Sequence, residues 1–220
     1  MTAGPRPKFG NQTQTPSGKG GCFVEMSVLD VLRQRRNHDI RLIEAENHFK
    51  RQNCSRAYEI VKKMLDDDSY NVSVVPLFCA VLTELKKVGE LYYLAHKLVS
   101  ANADSAIAWF SVGSYYFLIR KYDLAWKYFK KANRLEKHFA PGWIAFGHAF
   151  AALDETDQAM NAYRTANRLF PGCHQASLYI GMEYLKLNSL KTALMSFQES
   201  LRINDNDPMV YNEIGVVYYK

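Results

Sequence analysis

No uninterrupted apolar run in this chain of 220 residues approaches the length of a membrane span. Residues 1–21, rich in Gly, Pro, Thr, Gln and Lys, also lack the apolar stretch of a signal peptide. Cysteine is scarce: Cys22, Cys54, Cys79 and Cys173 stand at unrelated spacings without a C-x-x-C pair, which argues against a disulfide framework and fits reduced thiols inside a cell. The six histidines (His38, His48, His96, His138, His148, His174) are scattered. None falls at a metal-ligand spacing such as H-E-x-x-H, so neither metal nor cofactor is expected. A catalytic constellation is missing as well. The one tempting pair, Cys173-His174, reads more simply as a small thiol beside a helix-start imidazole, and the chain is not expected to be an enzyme. The formal charge of +6 is modest, and spread along many helices it favours acidic partners weakly without forming a nucleic-acid stripe. Neither nucleic acid nor membrane is expected as a partner.

What the chain has is a period. A bulky or polar residue precedes a glycine at one offset in Trp109/Gly113, Trp143/Gly147, Ser177/Gly181 and Tyr211/Gly215, each occurrence thirty-four residues after the last. Other positions follow in register: Tyr116, Phe150, Tyr184 and Tyr218; Ala125, Ala159 and Ala193; Phe129, Tyr163 and Phe197; Ala132, Ala166 and Ser200. This is the period of a tetratricopeptide (TPR) array, in which each helix-turn-helix unit buries its apolar face only against its neighbours. The fold class predicted is all-α, with TPR units stacked as a right-handed superhelix, a solenoid.

The small residues have a mechanical reason. Gly113, Gly147, Gly181 and Gly215 fall where the first helix of a unit crosses the second, with Ala125, Ala159 and Ala193 opposite, because axes about 8–10 Å apart leave little room for side chains. The aromatic residues are expected to fill wider gaps between units. The register assigns complete units to residues 106–139, 140–173 and 174–207, and a first helix alone to 208–220. Residues 37–71 and 72–105 are degenerate units: Leu91 and Ala95 exchange the usual small and large residues, so their packing is expected to be imperfect. Residues 22–36 form one short amphipathic helix, and 1–21 a disordered tail too poor in apolar residues to offset its ordering entropy. A register that stops at Lys220 inside a first helix leaves Ile214, Val217 and Tyr218 facing water.

For function there remains the inner face of the array. The offsets that point inward give Phe110, Ser114 and Phe117 in one unit, Ile144 and His148 in the next, and Leu178, Met182 and Leu185 in the third. These are the expected peptide-binding residues. Ile144 and Leu178 stand where a TPR co-chaperone would need a clamp lysine, so an extended or helical peptide suits this face better than the carboxylate end of a chaperone.

The runs from Glu90 to Val99, Leu135 to His148, Asp157 to Met160, Gly172 to His174 and Leu178 to Tyr184 resemble the cell division cycle protein 16 family, also called subunit 6 of the anaphase-promoting complex. The likeness covers about residues 37–219 and includes residues that the TPR consensus leaves free, such as Glu136-Lys137 and His148. It implies a non-catalytic scaffold subunit of a ubiquitin ligase acting on mitotic regulators, found in nucleus and cytoplasm. It also implies contacts with related TPR subunits and a small accessory subunit, and a homodimer where the family's flanking repeats are present. The alternative is a general TPR adaptor in another intracellular complex.

Overall fold

A computed structural model describes residues 37–67 and 72–220, which lie in one unit, Asn37–Lys220. The expected tail (1–21) and amphipathic helix (22–36) lie outside the described residues. The described chain is helical, in the order α1 (His38–Lys50), α2 (Cys54–Asp67), α3 (Val75–Glu84), α4 (Val88–Ala101), α5 (Ala106–Leu118), α6 (Tyr122–Leu135), α7 (Ala140–Ala151), α8 (Thr156–Leu169), α9 (His174–Lys186), α10 (Leu190–Ile203) and α11 (Pro208–Tyr219). Helices pair in sequence, α1 with α2 through α9 with α10, and each pair packs on the next. This is a helical TPR solenoid.

The two helices of a pair differ in composition for a physical reason. The first helices α5 and α7 carry no Asp, Glu, Lys or Arg and are covered on several sides by neighbours. Their partners α6 and α8 bury one stripe only (Ala125, Phe129 and Ala132; Ala159, Tyr163 and Ala166) and put charge on the other side. Side-chain caps are few. Asn37 accepts from the Asp39 amide at 3.1 Å and Asp207 from the Met209 amide at 3.0 Å, while Pro76, Pro141 and Pro208 occupy first turns, where a missing N–H costs nothing. Helices this short hold chiefly by packing.

Inside each pair the turn is closed in one way. Gln52, Lys86, Arg120, Asp154 and Asn188, again thirty-four residues apart, adopt left-handed backbone with φ between 54° and 62°. The amide of the following residue then donates back to the first helix: Asn53 to His48, Lys87 to Leu82, Lys121 to Tyr116, Glu155 to Phe150 and Ser189 to Tyr184, at 2.9–3.0 Å. That satisfies a carbonyl the helix end would leave orphaned. Between pairs a second device recurs. Trp109 Nε1 donates to the Ala103 carbonyl (2.6 Å), Trp143 Nε1 to that of Lys137 (3.0 Å) and Tyr211 Oη to that of Asp205 (2.9 Å). At the same register Ser177, too short for this, donates to Asn167 Oδ1 at 3.5 Å instead.

The glycines do sit at the crossings, but what they face differs from expectation. A Cβ on Gly113 would lie 2.6 Å from Phe129 Cδ1, one on Gly147 2.6 Å from Tyr163 Cδ1, and one on Gly181 2.7 Å from Phe197 Cδ1. The glycines accommodate the rings of their own unit, so those rings fill the crossing itself and not gaps between units. Ala125, Ala159 and Ala193 are fully buried one turn earlier. A Cβ on Gly215 would meet nothing within 4 Å.

The first two pairs close their crossings with other residues, and α3 packs less extensively on α4 than the helices of the later pairs do on each other. At the glycine and ring registers they carry Ala45 with Val61 and Cys79 with Ala95, all buried. Each carries a larger residue than glycine on the first helix and a smaller one than the ring on the second. Burial pushes the Cys79 thiol up to about 12, and it donates to Ser111 Oγ at 3.5 Å. At the far end Tyr218 is 76% exposed, as the register requires, but Val217 is only 8% exposed: it joins Leu178, Leu185, Phe197 and Val210 in the last cluster of the core.

Candidate protein-binding face

The expected inner-face residues divide into two groups. Phe110, Ser114, Ile144, Leu178 and Leu185 are buried. Phe110 lies between Phe129 and Phe139, with ring centroids 5.7 and 5.2 Å away, and Ser114 Oγ donates to the Phe110 carbonyl at 3.0 Å. Ile144 packs with Ala166 and Ala176, and Leu178 and Leu185 with Ala193, Phe197 and Val210. These five hold helices together and offer no surface to a peptide, a correction to their expected role. The cause is close stacking: each first helix packs on its own partner and on the second helix of the preceding pair, and the inward offsets close against the start of the next pair, Ile144 on Ala176 and Leu178 with Val210.

Phe117, His148 and Met182 keep part of their surface in solvent. Phe117 packs on Tyr122 at 5.3 Å. His148 is held by neighbours on both sides, with its Nδ1 2.8 Å from Tyr163 Oη and its ring edge-to-face with Tyr179 at 4.3 Å. Burial, helped by the charge on Lys186, pushes its pKa down to about 4, so the imidazole is neutral and shares a hydrogen bond with a phenol that keeps its proton. Burial pushes Tyr163 up, and Tyr179 up to about 12. Neither phenol ionises near neutral pH.

Next to this triad stands a charge pair that the repeat pattern does not announce. Glu183, 3% exposed, binds Lys186 at 2.8 Å, and Lys186 Nζ also reaches the Ala151 carbonyl at the end of α7 at 3.4 Å. Glu183 Oε2 has no hydrogen-bond partner. A buried carboxylate on a first helix is unexpected from the consensus, and only its i,i+3 spacing to Lys186 could have suggested the pair. A further link ties two pairs: Tyr58 Oη donates to Glu90 Oε2 at 2.7 Å, while Lys87 lies 3.6 Å over the Tyr58 ring and 3.0 Å from Glu90 Oε1.

Cys173 and His174 do not make a nucleophile and base. His174 Nε2 pairs with Asp207 Oδ2 at 3.0 Å, and the His174 carbonyl accepts from Ser200 Oγ at 2.9 Å, so the residue ties the start of α9 to α10 and α11. Among the described residues, no three His, Cys, Asp or Glu side chains gather closely enough to hold a metal ion, and no helix is long and apolar enough to cross a membrane. Two shallow depressions lie away from the triad. One is lined by Ile40, Ile43 and Glu44 of α1, the other by Tyr92, Tyr93 and His96 of α4.

No family model matches the chain. Individual relatives do. Over 183 residues it is 42% identical to anaphase-promoting complex subunit 6 of Arabidopsis thaliana, covering 83% of this chain and 34% of that protein. It is 40% identical over 185 residues to the human cell division cycle protein 16 homolog, covering 84% of this chain and 30% of the relative. Among solved structures it is similar to the anaphase-promoting complex hetero-tetramer Cut9-Hcn1, with a TM-score of 0.79 and 35% identity over 84% of this chain and 36% of that one. A thermophilic TPR protein of Thermus thermophilus, TTC0263, shares the fold alone, with a TM-score of 0.69 at 15% identity over 84% of this chain and the whole of that one. The chain thus spans about a third of the length of the curated relatives it matches. Over that third, helix pairs, crossings and sequence agree in one register: the array of residues 37–220 belongs to the cell division cycle protein 16 family.

Proposed function

We propose that this array is a non-catalytic scaffold segment of the anaphase-promoting complex, and that by holding other subunits in place it supports ubiquitination of mitotic regulators and passage through the cell cycle. The observation that carries the reading is the likeness to Cut9 in its complex with Hcn1, at 35% identity across 84% of this chain. The partners proposed are related TPR subunits and a small accessory subunit of the Hcn1 kind, with a homodimer where flanking repeats are supplied. Nucleic acid, membrane, metal and cofactor have no part in it. The complex works in nucleus and cytoplasm.

A peptide held on the inner face would meet Phe117, His148, Met182 and the exposed end of Lys186, while the five buried residues fix the helices that present them. Affinity purification of the tagged chain from dividing cells tests the assignment. Recovery of other subunits of the ligase is expected; recovery of none of them overturns it.

A further inference from the structure

Beyond the inner face, the outer side of α6 carries an uncompensated charge. Lys127, Lys130, Lys131 and Arg134 are spaced i, i+3, i+4 and i+7, which puts them on one stripe of the helix, opposite Ala125, Phe129 and Ala132. All four are exposed. Among the described residues, none of the four stands within ion-pair distance of a carboxylate. The flanking helices α5 and α7 contain no Asp or Glu, and α6 itself has only Asp123, in its first turn. Within the array, positive charge thus gathers on this stripe instead of being spread along many helices.

The repeat supplies its own control. At the registers of these four residues, α2 carries Glu59, Lys62, Lys63 and Asp66, α4 carries Tyr93, His96, Lys97 and Ser100, α8 carries Asn161, Arg164, Thr165 and Arg168, and α10 carries Met195, Gln198, Glu199 and Arg202, so no other second helix has four cations there. The fold therefore does not need cations at these positions. An arginine in the last turn complements the helix dipole and recurs as Arg134, Arg168 and Arg202, so that one has a structural reason. The three lysines have none. Like charges at i,i+3 and i,i+4 cost helix stability, and α6 contains four such pairs: Lys127 with Lys130, Lys127 with Lys131, Lys130 with Arg134, and Lys131 with Arg134.

The lysines are also positioned. Lys131 Nζ lies 3.2 Å over the ring of Trp109, whose Nε1 is bonded to the Ala103 carbonyl. Lys127 and Lys130 lie 5.8 and 5.6 Å from the ring of Trp126, itself stacked on Phe150 at 5.6 Å. Cation–π contacts to anchored indoles limit how far the ammonium groups wander without neutralising them. A cluster so held has lost part of its freedom before a partner arrives, which lowers the cost of binding.

We infer that the outer stripe of α6, Lys127, Lys130, Lys131 and Arg134, is a docking site for an acidic segment of another polypeptide. Seven residues of helix rise about 10 Å, the span of roughly three extended residues, so the complementary feature is a short run of Asp or Glu. The stripe faces away from the buried side of α6, so it can be filled together with the inner face.

The test uses the full chain and a fluorescein-labelled peptide with six consecutive glutamates, read by anisotropy at low salt. A glutamine version of the peptide and a single-stranded oligonucleotide are the comparisons. Expected are binding of the glutamate peptide that weakens steeply as salt rises, at least tenfold weaker binding of the glutamine peptide and the oligonucleotide, and at least tenfold loss in K127E/K130E/K131E/R134E. The milder K127Q/K130Q/K131Q, whose circular dichroism should match that of the unaltered chain, is expected to lose most of the binding, and R164E/R168E on α8 to lose less than threefold. Equal binding of the two peptides, tighter binding of the oligonucleotide, or retention of binding in the triple glutamine variant would each overturn the proposal.

Discussion

The phenol of Tyr163 on α8 and Nδ1 of His148 on α7 share a hydrogen bond of 2.8 Å, in which the phenol donates when Nδ1 carries no proton. The same ring of Tyr163 fills the space that Gly147, the neighbour of His148 in sequence, leaves open. One aromatic side chain thus sets the crossing of a helix pair and bonds to the histidine beside it, which burial and the charge on Lys186 keep neutral.

A dependence on pH follows. An unfolded-state histidine titrates near 6.5 and His148 in the folded chain near 4, so the unfolded chain takes up the proton first as pH falls. Stability is full above the unfolded value and is lost as pH drops through 6.5 toward 4, by about 2 kcal/mol at pH 5. Urea midpoints at pH 7 and pH 5 check this: His148→Gln should remove that share of the loss, and an identical loss in both proteins would contradict it.

Two glycines should respond in opposite directions to one added methyl group. Gly147→Ala forces the methyl carbon into the Tyr163 ring and should cost about 1–3 kcal/mol. Gly89→Ala, on α4 with nothing within 4 Å of the new carbon, should gain about 0.5–1 kcal/mol from helix propensity. Thermal melts of the two variants beside the parent decide it.

Left-handed backbone at Lys86 and Arg120 is borne by side chains that do not favour it. Replacing either by glycine should raise stability by about 0.5–1 kcal/mol, because the Schellman-type turn is kept and its strain removed. The same change at Asn188 should gain less, since asparagine tolerates this region. Denaturation curves at all three positions give the ranking.

Asp207 has two tasks, capping α11 through Oδ1 and holding His174 through Oδ2. Asp207→Ala should cost about 1–2 kcal/mol through the lost cap alone. Hydrogen exchange should quicken in α11 first and at the start of α9 next. Uniform quickening along the array would show that the cap acts globally.

The thirty-four-residue period made helix pairs legible because each consensus residue solves a local packing problem whose partner is one unit away or less. Gly147 and Tyr163 are visible for that reason. The left-handed residues of the turns share a conformation but no residue type, Gln52 and Lys86 having nothing chemical in common, so the period left no mark there. The inner face is illegible for a different cause: Leu178 and Phe110 occupy inward offsets, yet how tightly neighbouring pairs close over them depends on the size of residues on the next helix. The triad of His148, Tyr163 and Tyr179 draws on three helices. No periodicity within one of them points to it.

The most direct test of the scaffold assignment exchanges the matching stretch of fission-yeast Cut9 for residues 37–220 of this chain. Mass spectrometry would then score whether the chimera is recovered with Hcn1 and the rest of the complex. A working scaffold segment predicts recovery close to that of intact Cut9, and reduced recovery when Gly147→Leu is built into the chimera. A chimera that folds but leaves the complex would contradict it.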